Sequence, residues 1–201
     1  MFDLSSKIIN IEKQNHIIKK NISLDTNLDC FIHIDSESKN FTEAFLNKVV
    51  DHIIDKISIK NTYWDFSIAL ENINAFIKAW NIDNSEKQTA NVLIGIQHEN
   101  NFIFSNIWHA SAYWINRNQE LISLTDHSGN KQRFSDISNW ELKTWEIILI
   151  SSTNILSYLS QSDIIDGIDK NNDINHFTEN IYQILTTENL NENIIYSAFK
   201  Y

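Results

Sequence analysis

Two long segments with helical periodicity dominate the pattern of this sequence. Apolar side chains recur every three or four residues from Phe41 to Ile57, and again from Phe66 to Trp80. This spacing places the apolar side chains on one face of an α-helix. The pattern therefore predicts two amphipathic helices in succession, and each needs an apolar surface to pack on.

Short strand-like segments lie on both sides of this helix pair. They are rich in β-branched residues, alternate partly between apolar and polar side chains, and are bounded by polar turns. The predicted strands are Lys7–Glu12, His16–Ile22, Cys30–Ile34, Ala90–Gln97, Asn101–Ile107, Ser111–Asn116, Glu120–Leu124, Trp145–Ser151 and Asn193–Phe199. The first two are predicted to pair as a hairpin. The apolar run at 145–151 is predicted to be buried on both faces.

Two further helices, at Asn154–Leu159 and Asn175–Leu185, complete the predicted elements. Repeats, low-complexity linkers and breaks in composition are absent from the sequence. We therefore predict one α+β domain over residues 1–201, with antiparallel sheets and segregated helix pairs.

Charge and cysteine content limit the partners and the compartment. The formal net charge is −10, which disfavours nucleic acid and anionic membranes as partners. Cys30 is the only cysteine, so an internal disulfide is impossible. The N-terminus lacks the basic flank and long apolar stretch of a signal peptide, and the apolar runs are too short to span a bilayer. We expect a cytoplasmic protein.

Four strings, in order, resemble motifs of one enzyme family. They are FIHIDSESKNFTEAF at Phe31–Phe45, the paired strands and turn at Asn91–Ser128, FSDISNWELKTWEIILISSTNILSYLS at Phe134–Ser160, and NENIIYSAF at Asn191–Phe199. Together they resemble the metal-dependent protein Ser/Thr phosphatases of the 2C type, the PPM family, over about residues 7–199. The resemblance implies a four-layer αββα sandwich, in which two antiparallel β-sheets are flanked by helix pairs.

The resemblance also implies a set of metal-ligand positions. That family holds two divalent cations with oxygen ligands and attacks phosphate with a metal-bridged water. Asp35 matches the bridging aspartate, Ser36 stands at the glycine whose carbonyl is a ligand, and Glu192 stands at the terminal aspartate. Thr153 and His16 stand at two other acidic positions, and are degenerate as ligands. The residual ligands implied are therefore Asp35, Ser36 and Glu192, with Asp35 and Glu192 expected within roughly 10 Å of each other.

The replacement of acidic ligands by Thr153 and His16 affects the activity that the resemblance implies. Two close dications need several negative ligands to offset their repulsion, and threonine cannot supply that charge. We therefore expect a catalytically weakened or inactive pseudophosphatase, a binding or regulatory module in signalling with a protein partner. The alternative is an active phosphoserine/phosphothreonine phosphatase with an altered metal site. If the chain binds a metal, the resemblance implies Mn²⁺ or Mg²⁺ as the cofactor; the alternative is that it binds none.

His33 lies two residues before Asp35, so both would share one face of a strand. Such a pair can touch one metal ion. We expect instead that this face is solvated, because most polar residues are exposed.

Three tryptophans fall on glycine positions of the resembling motifs. They are Trp108, Trp140 and Trp145, in a chain with only three glycines. Turns favour glycine there because it tolerates a positive φ. One hypothesis is that the gene comes from an organism that reads UGA as glycine. The other is genuine substitution in a degenerate domain, and in either case the three rings are predicted to lie outside the core.

Overall fold

The computed structural model describes residues 3–10, 16–25, 27–54, 56–83, 90–125, 133–134, 136–168 and 173–201. The strands are β1 Asp3–Ile9, β2 His16–Asp25, β3 Leu28–Ser36, β4 Ala90–His98, β5 Asn101–Ile107, β6 Ser111–Ile115, β7 Leu121–Ser123, β8 Ser138–Glu141, β9 Ile147–Ser151 and β10 Ile194–Lys200. The α-helices are α1 Lys39–Ile53, α2 Thr62–Asp83, α3 Gln161–Asp166 and α4 Ile174–Thr187. Short 3₁₀ segments occur at Ile59–Asn61 and Ile155–Ser157.

The strands form two five-stranded antiparallel sheets. The first sheet has the order β1-β10-β9-β6-β7, and the second has the order β2-β3-β4-β5-β8. The predicted hairpin of the first two strands is therefore wrong, because β1 pairs with β10 and β2 pairs with β3. Alternation along a strand specifies which face is buried, but it does not specify the partner strand. Residues 11–15, between β1 and β2, lie outside the described residues.

The first helix pair covers the outer face of the second sheet. Phe45 and Ile53 of α1 and Phe66 and Ile73 of α2 are fully buried, in one cluster with Ile32 of β3. The predicted apolar helical faces are thus confirmed. A buried aromatic ring or aliphatic chain stabilises such an interface by about 1.5–3 kcal/mol.

The second helix pair covers the outer face of the first sheet. Ile164 of α3 and Phe177 and Ile181 of α4 pack in one cluster with Leu149 of β9 and Tyr196 of β10. The predicted helix at 154–159 is a 3₁₀ turn followed by α3, whose start is fixed by a capping box at Ser160. The layers are helices, sheet, sheet and helices, which confirms the four-layer αββα sandwich.

The inner faces of the two sheets meet at an aromatic cluster. The Phe31 ring stacks on Phe102 at 4.7 Å between centroids and contacts Phe199 at 4.9 Å. Gly95 pairs with Phe31 in the sheet, and a Cβ on Gly95 would lie 1.8 Å from the tip of the Phe31 ring. Glycine at this position therefore allows Phe31 to lie flat against β4 and to fill the space between the sheets.

Candidate metal site

Contacts between the sheets align β3 with β10. Phe31 contacts Phe199, and two residues further along β3 the Nε2 atom of His33 lies 2.9 Å from the Ser197 hydroxyl. Residue numbers rise along β3 as they fall along β10, so the end of β3 lies near the start of β10. Asp35 is the next residue on the inward face of β3, and its side chain therefore lies at this end of the sandwich.

The end of β3 brings three of the sequence-predicted residues together. Asp35 and Ser36 are 3% and 2% exposed, and His16 of β2 pairs directly with Ser36. On the other side, Asn91 of β4 pairs with Asp35. The Ser36 hydroxyl accepts a hydrogen bond from the backbone N–H of Ser38, which begins α1 as its N-cap. The fold thus holds a buried carboxylate where a strand gives way to a helix.

The other two predicted residues meet on the first sheet. Thr153 follows β9, Glu192 precedes β10, and these strands are neighbours. The Thr153 hydroxyl donates a hydrogen bond of 2.8 Å to Glu192 Oε1, and the Tyr158 hydroxyl lies 2.8 Å from the same oxygen. Burial, helped by the hydrogen bond and negative charge of Glu192, raises the pKa of Tyr158 to about 12. Two hydroxyl groups, those of Thr153 and Tyr158, therefore contact Glu192 Oε1.

A hydrogen-bond network fixes the backbone on which Thr153 stands. The Ser152 N–H donates to the Ile195 carbonyl at 2.8 Å, and the Ile195 N–H donates to the Ser152 hydroxyl at 3.0 Å. The Ser111 hydroxyl donates to the Thr153 carbonyl at 2.6 Å. These bonds hold Thr153 in one position, so its contact with Glu192 is a built feature of the fold.

His33 is fully buried between the sheets, so the prediction of a solvated face is wrong. Burial, with a smaller contribution from the Lys19 charge, lowers the pKa of His33 to about 3 and keeps the ring neutral. Lys19 pairs with His33 in the sheet and donates to Ser6 of the opposite sheet. Alternation alone could not show that a second sheet covers this face.

The oxygen ligands described do not fit a centre with two cations. Within the described ranges, no group of three or more His, Cys, Asp or Glu side chains is arranged to hold a metal ion. The carboxylates of the predicted set are Asp35 and Glu192, and the second already accepts hydroxyl hydrogen bonds. Two dications would need more negative charge than this pair provides. A single cation shared by Asp35 and Glu192 stays a prediction.

The three tryptophans differ in their backbone conformations. Trp108 and Trp145 lie in turns with φ angles of 62° and 80°, which favour glycine. Trp140 lies in β8, pairs with Phe102 and contacts Trp114 at 5.0 Å between ring centroids. None of the three is fully buried, and Trp145 is 51% exposed. Glycine-like geometry is thus found at two of the three positions.

No family model matches this chain, and comparison with curated proteins gives no match. No helix among the described residues is long and apolar enough to cross a membrane.

Comparison of the fold with solved structures gives full-length matches. A serine/threonine phosphatase of Staphylococcus aureus superimposes with a TM-score of 0.79 at 15% identity, over 100% of this chain and 95% of that one. A serine/threonine phosphatase of S. agalactiae gives 0.76 at 12% identity, over 100% and 99% of the two chains. The catalytic domain of the phosphatase PstP, in complex with two manganese ions, gives 0.73 at 9% identity, over 99% and 97%. The protein therefore has the fold of these phosphatases.

Proposed function

We propose that this protein is a pseudophosphatase of the PPM type, which acts in the cytosol by binding another protein and not by hydrolysing phosphate. The shared fold and the four motif-like strings support the choice of family. The net charge of −10 favours a protein partner over nucleic acid or an anionic membrane.

The hydrogen bond from Thr153 to Glu192 carries this proposal. Two carboxylates at these positions would repel each other and would need a cation between them. A threonine hydroxyl instead donates a hydrogen bond, so it satisfies Glu192 with no cation present. The Tyr158 hydroxyl lies 2.8 Å from the same oxygen, and its single proton is shared between Glu192 and Asn191 Oδ1.

A working phosphatase with an altered metal site is the second candidate. The observation that favours it is Asp35, a carboxylate only 3% exposed at the end of β3, where the resemblance places a bridging ligand. The PstP catalytic domain, with the same fold, binds two manganese ions. If this chain binds Mn²⁺ or Mg²⁺, Asp35, the Ser36 carbonyl and Glu192 would hold the cation.

Titration with Mn²⁺ and Mg²⁺ separates the two candidates. We expect no change in melting temperature and no hydrolysis of a phosphoserine or phosphothreonine peptide. A cation that binds the folded state, present at a concentration one hundred times its Kd, would raise the free energy of unfolding by about 2.7 kcal/mol. For a chain of this length, the melting temperature would then rise by roughly 5–10 °C.

The control variant is Asp35→Asn, which removes one charge and keeps the shape of the side chain. Metal-dependent hydrolysis by the wild type that disappears in Asp35→Asn would overturn the pseudophosphatase proposal in favour of an active enzyme.

A further inference from the structure

A cleft of about 750 Å³ opens between the two sheets at the end opposite Asp35. Its lining includes Asp29 and Phe31 at the start of β3, and Phe199 and Tyr201 at the end of β10. Asp29 and Asp35 are six positions apart along β3, which corresponds to about 20 Å. The cleft is therefore a separate site from the candidate metal site.

Aromatic rings form the floor of this cleft. Phe31 and Phe199 are 2% and 3% exposed and contact each other, so they close the cleft toward the interior. Tyr201 also lines the cleft and is 39% exposed, so part of its side chain lies at the surface. A ring at the mouth of a polar cleft favours a planar or cationic ligand group.

Hydrogen bonds between two turns hold the rim in place. The Glu99 N–H donates to the Asn27 carbonyl at 3.4 Å, which joins the β4–β5 turn to the β2–β3 turn. The buried Gln97 side chain donates to the Glu99 carbonyl at 3.1 Å. The rim is thus organised before a ligand arrives, which lowers the entropic cost of binding.

The charge of the cleft has one sign. Asp29 and Glu99 carry its charges, and no Lys, Arg or His occurs among the described lining residues. The remaining polar lining consists mainly of amides and of the hydroxyls of Ser23 and Tyr201, which accept hydrogen bonds as well as donate them. An anionic ligand is disfavoured here, and a cation with several N–H donors fits.

We propose that this cleft binds an arginine side chain presented by a partner protein. A guanidinium group has planar N–H donors that match a carboxylate in two-pronged geometry, and it stacks on aromatic rings, whereas a lysine ammonium does neither as well. The net charge of −10 attracts a basic segment from a distance. The inference deepens the proposed binding function and rests on it for its biological meaning.

The test uses the peptide acetyl-Gly-Arg-Gly-Arg-Gly-amide and the same peptide with citrulline in place of arginine. Citrulline keeps the shape and removes the charge. We expect the arginine peptide to shift the NMR signals of Asn27, Gln97 and Tyr201. The signals of Thr153 and Glu192 should not shift.

We expect the arginine peptide to bind the double variant Asp29→Asn/Glu99→Gln about tenfold more weakly than the wild type, since each exposed ion pair contributes about 0.2–1 kcal/mol.

The matched control is Glu71→Gln/Glu188→Gln, which makes the same change in net charge at exposed positions outside the cleft. Equal binding of the arginine and citrulline peptides, or equal losses in the two double variants, would overturn the proposal. The citrulline comparison needs no variant, so it decides the question even if the double variant unfolds.

Peptide binding is also independent of metal. Mn²⁺-dependent hydrolysis would overturn the proposed function and leave the peptide result unchanged, whereas absence of peptide binding would overturn only the cleft inference.

Discussion

Trp145 occupies a backbone conformation that suits glycine. Its φ is 80°, and residues with a Cβ atom lose roughly 1–2 kcal/mol in the left-handed region. The ring is half exposed, and its clearest contact is with the Lys200 ammonium, 5.1 Å from the ring centroid. An exposed cation–π contact offsets only about 0.5–1 kcal/mol of that strain.

We therefore expect Trp145→Gly to leave the free energy of unfolding unchanged or to raise it by up to about 1 kcal/mol, as measured by urea denaturation. Trp64→Gly is the matched control, because Trp64 is 66% exposed but lies in the first turn of α2. Glycine there should cost about 0.5–1 kcal/mol. Equal destabilisation by both substitutions would contradict the strain at Trp145.

The codons of the gene test the recoding hypothesis directly. Glycine-like φ angles at Trp108 and Trp145 agree with UGA read as glycine, but Trp140 in β8 has no such geometry. UGG codons at positions 108, 140 and 145 would show that the three tryptophans are genuine.

His33 should make stability depend on pH. Its pKa in the folded state is about 3, below the value near 6.5 of an unfolded chain, so the unfolded state binds a proton first as the pH falls. The contribution to stability is full above pH 6.5 and is lost as the pH falls toward 3. We expect a loss on the order of 2 kcal/mol between pH 7 and pH 5.

Urea denaturation across that pH range checks this expectation, with His33→Gln as the comparison. Glutamine can still bond to Ser197 and does not titrate, so the acid dependence should become flatter. An unchanged slope in His33→Gln would mean that other groups cause the acid sensitivity.

At the scale of elements, the two long helices are the part of the fold that the sequence predicts best. Phe45 and Phe76 both lie on the predicted apolar faces, but Phe45 is fully buried and Phe76 only partly. We expect Phe45→Ala to lower the free energy of unfolding by about 3–5 kcal/mol and Phe76→Ala by roughly half as much. A loss below about 1 kcal/mol at Phe45, measured by chemical denaturation, would contradict the packing of α1 on the second sheet.

Other elements were missed or wrongly paired in the sequence analysis, for identifiable physical reasons. β8 is four residues long and mostly polar, so neither length nor alternation marks it. α3 is six residues long with Ile164 as its one buried side chain, too few for a periodic signal. The predicted β1–β2 hairpin is wrong because strand partners depend on pairings far apart in sequence, such as that of Ser5 with Ala198 of β10.

The candidate site, like the fold, could be predicted from the sequence only in part. The resemblance places Thr153 and Glu192 at ligand positions, and the structure shows them bonded to each other. The buried position of His33 could not be predicted, because it depends on how the two sheets face each other. The contact of Tyr158 with Glu192 could not be predicted either, because it joins residues 34 apart in sequence.

At the scale of the whole molecule, the sandwich has two polar ends and an aromatic middle. One end carries Asp35 and the Thr153–Glu192 pair, and the other carries the cleft with Asp29 and Glu99. The aromatic cluster of Phe31, Phe102 and Phe199 closes the inner side of the cleft. The fold shared with the phosphatases is thus combined with a polar end at which Thr153 donates a hydrogen bond to Glu192.

The central claim is that a hydroxyl at position 153 has replaced a metal ligand. Thr153→Asp would place a carboxylate beside Glu192, at a position that is only 3% exposed. Without metal, this substitution should destabilise the fold by about 2–4 kcal/mol through charge repulsion. Added Mn²⁺ should reverse that loss. Thr153→Asn is the control of the same shape without the charge.

Calorimetric titration of Mn²⁺ into the three proteins is the most direct measurement. We expect binding to Thr153→Asp, and no binding to the wild type or to Thr153→Asn. Binding of Mn²⁺ to the wild type as tightly as to Thr153→Asp, or no binding to Thr153→Asp, would contradict the account.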